Sequence, residues 1–211
     1  MGQDRKHGRP ASEAMPADGV AGEVSDAGEA FREAMLSGNL SRESVQRWGE
    51  RIVLEKLWEE ALQMAREGEP KVAFRAAWAL EYAWKLWPEG VVTRFGRLLE
   101  VLLASSNVSV QRIFSKMAYE LLRRQAVSLA DGEAEALVAC CFDRLLDLAT
   151  PSGVAVWQIR LLDLLAARID WVGEQLEAIV RQLSEAPDCT PAIASCTRRY
   201  LRRRRRSGVW W

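Results

Sequence analysis

Four stretches of this chain repeat one construction: a turn or capping residue, then a long helix with an apolar stripe. They open at Glu69-Pro70-Lys71-Val72, Asn107-Val108-Ser109-Val110, Ser152-Gly153-Val154-Ala155 and Thr190-Pro191-Ala192-Ile193, with starts 38, 45 and 38 residues apart. A period of this size holds two antiparallel helices and their turns. One such pair cannot hide its own apolar face, so successive pairs must stack and share a continuous core. The recurrence predicts an all-α protein, a right-handed α-solenoid of about four helical hairpins. No stretch alternates apolar and polar residues between tight turns, as a half-buried strand would.

Residues 1–24 are rich in Gly, Pro, Ala, Asp and Arg and carry almost no large apolar side chain, which predicts a disordered N-terminal tail. Residues 25–206 form the predicted repeat domain and 207–211 a C-terminal tail. Ser25 is expected to cap a short helix that runs through Leu36 and ends at Ser37-Gly38-Asn39. After Ser41 one long helical segment keeps Val45, Trp48, Ile52, Trp58, Ala61 and Leu62 at helical spacing, up to Gly68 and Pro70. Residues 71–87 complete the first hairpin, with Val72, Ala76, Leu80 and Trp84 on one stripe. The second pairs 89–104 with 108–127. The third pairs 132–149 with 153–169, with Asp131 as its N-cap, and the fourth pairs 171–186 with 191–206. Thr190-Pro191 there reads as an N-cap followed by proline in the first turn. Leu164 and Ile179 are expected in the core.

The stretch Val72-Ala73-Phe74-Arg75-Ala76-Ala77-Trp78-Ala79-Leu80 resembles the second helix of HEAT repeats, where a valine, an arginine and paired alanines recur. Residues 107–122 look like a weaker copy. From about residue 50 to 205 the layout is similar to small bacterial HEAT-like proteins. The resemblance implies a scaffold more than an activity.

Catalytic signatures are missing from the sequence. The single histidine is His7, in the tail, so the body has no Ser-His-Asp triad, Cys-His pair or histidine metal ligand. Cys140, Cys141, Cys189 and Cys196 lack metal-site spacing and read as reduced thiols packed as small hydrophobes. Asp143, Asp147, Asp163 and Asp170 read as solvated or ion-paired helix faces. No phosphate-binding glycine loop occurs. The chain is therefore expected to be no enzyme and to use neither metal nor cofactor. With no uncharged stretch of about 18 residues and no apolar leader, it is expected to be cytoplasmic.

Two features point to partners. Arg198, Arg199, Arg202, Arg203, Arg204, Arg205 and Arg206 crowd the last helix; without them basic residues number 22 against 29 acidic ones. Such a cluster serves either as a soluble end cap of the array or as a contact for phosphate, which makes nucleic acid a possible partner. The second feature is aromatic. Trp78, Tyr82 and Trp84 form a candidate groove for a partner protein, or else they are core. HEAT-like DNA alkylation-repair glycosylases use a concave surface with Trp, Arg and a carboxylate, and Arg75, Trp78, Asp170 and Trp171 are similar ingredients. That alternative predicts a basic groove with Arg75, Arg112 or Arg160 beside an exposed Trp78. The leading expectation is a non-enzymatic scaffold that binds protein.

Overall fold

A computed structural model of the chain describes residues 26–37 and 40–206. The expected tails at 1–24 and 207–211, the Ser25 cap and the Gly38-Asn39 stop lie outside these residues. The described chain forms α1 (Asp26–Leu36), α2 (Arg42–Leu54), α3 (Trp58–Glu67), α4 (Pro70–Leu86), α5 (Pro88–Val92), α6 (Phe95–Ala104), α7 (Val108–Arg123), α8 (Asp131–Leu146), α9 (Ser152–Leu165), α10 (Asp170–Glu185) and α11 (Pro191–Arg206). No strand occurs among the described residues. Four hairpins follow one another, α3/α4, α6/α7, α8/α9 and α10/α11, preceded by α1 and α2.

The helices stack in two layers. In one, α2, α4, α7, α9 and α11 pack in succession. In the other, α3 packs on α6 and α6 on α8, and the ring of Phe142 stacks on Trp171 of α10 at 5.8 Å. The core lies between the layers, from Phe31 and Ile52 through Leu80, Ile113, Phe114 and Leu162 to Val172 and Tyr200, all nearly inaccessible to solvent. Helix α4 is central. Its buried Ala73, Ala76, Ala77, Ala79 and Ala83 let neighbouring backbones come close. One such close approach is at Gly49 of α2, where a Cβ would lie 2.6 Å from Tyr82 Cβ and 3.1 Å from the Ala83 amide nitrogen.

Three local expectations change. The single long segment after Ser41 is two helices, broken at Glu55-Lys56-Leu57. Lys56 takes a left-handed φ of 60° there, and both α2 and α3 then pack on α4. Pro88 opens a short separate helix, α5, before α6 instead of one continuous helix. Asp131 is the first residue of α8, and the cap is Ala130, whose amide donates to Glu133 Oε2 at 2.8 Å. Among the four opening signatures, Asn107 caps its helix with its side chain, accepting from the amides of Ser109 at 3.0 Å and Val110 at 3.3 Å.

Polar ties join each hairpin to the next. Arg42 Nε donates to Tyr82 Oη at 3.1 Å, Lys116 Nζ lies 2.5 Å from Glu81 Oε1, Gln158 Nε2 donates to Ser115 Oγ at 3.0 Å, and Arg203 pairs with Asp163. Two arginines also cap helices of the preceding unit. Arg75 Nη1 donates to Met35 O at 2.6 Å at the end of α1, and Arg144 Nη2 to Leu102 O at 2.6 Å at the end of α6. A cation on orphan C-terminal carbonyls meets the negative end of the helix dipole.

A candidate partner-binding face

Residues two apart on a helix point about 200° away from each other. On α4 this puts Leu80 and Trp84 inside and Phe74, Trp78 and Tyr82 on the opposite side. Phe74 stacks on Trp78 with centroids 5.5 Å apart and planes at 14°, and Trp78 meets Tyr82 at 6.4 Å. All three are half-buried. Lys85 Nζ sits 4.6 Å above the Tyr82 ring, a cation–π contact. Trp84 does not join them: it is 8% exposed and belongs to the core. Of the expected aromatic groove, the fold brings together Trp78 and Tyr82 and leaves Trp84 out.

The same layer carries a second aromatic group that the sequence reading passed over. Tyr119 of α7 meets Trp157 of α9 at 5.8 Å, and the Arg160 guanidinium lies 4.5 Å from the Trp157 ring centre. Tyr82 and Tyr119 are 37 residues apart and hold corresponding places towards the ends of α4 and α7, whereas Trp157 lies in the second turn of α9 and reaches Tyr119 across the joint between the two helices. Between them, Lys116 bridges to Glu81. The face therefore alternates half-exposed rings with paired charges, a composition suited to burying area against a folded partner.

Arg75 and Arg160 are engaged, Arg75 at the end of α1 and Arg160 over Trp157, while Arg112 is exposed. Trp171 stacks on Phe142 in the other layer, and Asp170 opens α10 beside it. The four glycosylase-like ingredients Arg75, Trp78, Asp170 and Trp171 are thus spread over both layers and do not converge.

At the end of the array, Arg198, Arg199, Arg202 and Arg205 are exposed on α11. Arg203 pairs with Asp163 and Arg204 approaches Glu177 at 3.6 Å. The side chain of Arg206 lies outside the described residues. Burial pushes the Asp163 carboxyl above its ordinary value, opposed by Arg203 and Arg204. The Cys196 thiol is pushed up by burial as well, against Arg160, Arg199 and Arg203. Cys140 and Cys141 are also held as thiols by burial. Among the described residues no group of three or more His, Cys, Asp or Glu is arranged to hold a metal ion, and no helix is long and apolar enough to cross a membrane.

Comparison with curated proteins and with solved structures finds no match. A family profile described as a HEAT repeat domain matches residues 32–204, nearly all of the described chain. The stacked hairpins and this match agree, and the chain belongs to the HEAT repeat family.

Proposed function

We propose that this protein is a non-enzymatic, cytoplasmic scaffold that holds a protein partner against the α4–α7–α9 face. The observation that carries the reading is the row of half-buried rings along this face, Trp78 against Tyr82 on α4 and Tyr119 against Trp157 across α7 and α9. Aromatics anchor interfaces because they bury a large area at low cost in side-chain entropy. A photoreactive phenylalanine analogue at Tyr119 should crosslink a partner in cell extract, and the same analogue at exposed Ala139 of α8 should not. Crosslinking that is equal at the two positions overturns the reading.

The exposed Arg198, Arg199, Arg202 and Arg205 favour a second reading, in which the end of the array contacts phosphate, nucleic acid included. Each phosphate contact releases counterions, so such binding falls steeply with salt. Changing Arg202 through Arg206 to glutamine should abolish salt-sensitive retention on nucleic acid while the helix content stays the same. If the parent shows no such retention, the cluster is a solubilising end cap.

A further inference from the structure

The formal net charge of zero hides a division between the two layers. The second helices of the four hairpins, α4, α7, α9 and α11, carry fourteen Lys and Arg against three Asp and Glu, whereas the first helices, α3, α6, α8 and α10, carry four against twelve. The arginines of α11 do not account for this alone, since α4, α7 and α9 still hold seven basic residues against three acidic ones. Pairing within the chain widens the difference. Glu81 meets Lys116 and Lys85, Glu120 meets Arg123 and Arg124, and Asp163 meets Arg203, so each carboxylate of α4, α7 and α9 is already matched. Lys71 and Arg112 are exposed and make no ion pair among the described residues. Like charges gathered on one face repel one another, and opposite charge brought by a partner removes that cost.

The cations stand in register with the rings. Lys71, Phe74, Trp78, Tyr82 and Lys85 are spaced three and four residues apart and form one stripe of α4, with a lysine at each end. Arg112, Lys116, Tyr119 and Arg123 form the same kind of stripe on α7, which packs beside α4. Building on the reading that a protein partner occupies the α4–α7–α9 face, we propose that this partner presents an acidic segment. Its carboxylates lie over the flanking cations, and its apolar side chains cover the rings between them. Lys71 to Lys85 is about 21 Å at 1.5 Å per residue, which the segment must span. Nucleic acid suits the face less well. Bases stack on open ring faces, and Phe74, Lys85 and Arg160 already cover one face of Trp78, Tyr82 and Trp157. The acidic layer of first helices repels such a segment from the opposite side of the molecule and steers it to this one.

Fluorescence polarisation on the full chain tests this with a labelled peptide that alternates Glu-Glu and Leu-Tyr pairs over about 21 Å. The peptide should bind saturably, about tenfold or more tightly than its counterpart with glutamine for glutamate, and weaken as salt rises from about 50 to 300 mM. Lys71→Glu combined with Arg112→Glu should weaken binding about tenfold. Arg32→Glu combined with Arg181→Glu makes the same change in net charge at exposed positions of α1 and α10 and should leave binding within about twofold. Circular dichroism checks that both double variants keep the helix content of the parent. In cell extract the first double variant should also lower partner crosslinking from Tyr119. Crosslinking that persists undiminished in that variant overturns the acidic partner and leaves the protein-binding reading standing. Parent crosslinking no stronger at Tyr119 than at Ala139 overturns both. No peptide binding, equal binding of the glutamine peptide, equal losses in the two double variants, or displacement of the peptide by a tighter-binding oligonucleotide overturns the proposal.

Discussion

Lys116 Nζ lies 2.5 Å from Glu81 Oε1 across the joint between α4 and α7, thirty-five residues along the chain. Lys85 approaches the same carboxylate at 3.6 Å. The Glu81 side chain is only 10% exposed, against 32% for Lys116. A buried carboxylate suffers when its closer partner is removed, whereas a neutral amide in its place needs no counter-charge. Lys116→Met should therefore cost about 1–2 kcal/mol and Glu81→Gln less. In urea melts of the two single variants and the double variant, the double should cost less than the sum. Additive costs would show that the pair contributes nothing to the joint.

Gly49→Val tests the close contact between α2 and α4. The added Cβ meets Tyr82 Cβ and the α4 backbone, which cannot swing away as a flexible side-chain end would. The expected loss is about 1–3 kcal/mol, read as a lower urea midpoint at unchanged slope. Gly132→Ala, where a Cβ meets nothing within 4 Å, should leave stability unchanged or raise it slightly.

The hairpins were legible because caps and apolar stripes are local. Asn107, Pro70 and Pro191 sit where the sequence puts the helix starts. The break at Lys56 was not legible: Glu55, Lys56 and Leu57 include neither glycine nor proline, and the left-handed turn is imposed by both helices packing on α4. The phase of a stripe was also hard to read. Leu164, expected in the core, is half-buried, because Leu161, Leu162 and Leu165 take the inner positions of α9. In the candidate site, Trp84 was misassigned because aromatic clustering along the chain does not distinguish the two sides of a helix. Comparing Tyr82 with Tyr119, which hold corresponding places in α4 and α7, would have done so. The cap that Arg144 places on α6 joins residues some forty apart and carries no sequence signal.

Tryptophans on the two sides of the layer should behave oppositely. Trp58 is 1% exposed and packs against Trp87 with centroids 6.1 Å apart. Trp58→Ala should cost about 3–5 kcal/mol. Trp78→Ala should cost less than about 1.5 kcal/mol, since the residue is only half-buried, and should weaken partner crosslinking at Tyr119. Thermal melts and the crosslinking yield check both. Equal destabilisation by the two would place Trp78 in the core.

Tyr200 sets an alkaline limit. Its hydroxyl donates to Gly173 O at 3.3 Å, and burial, the largest effect, pushes its pKa from 10.0 up to about 12. The folded state thus holds the proton more tightly than the unfolded chain. The stability this provides is complete below pH 10 and is lost as pH rises from 10 to 12, by about 1–2 kcal/mol. Tyr200→Phe should lower stability modestly at neutral pH and flatten this alkaline decline. A decline of unchanged slope in the variant would assign it to other groups.

The arginine caps give the protein an order of completion during synthesis. The end of α1 at Met35 waits for Arg75, and the end of α6 at Leu102 waits for Arg144, separations of 40 and 42 residues. At a ribosomal pace of roughly 5–20 residues per second, that is a wait of about 2–8 s before each of those helices is finished. A nascent chain is therefore always one unit behind its own growing end, and a pause within either interval would leave the helix before it frayed.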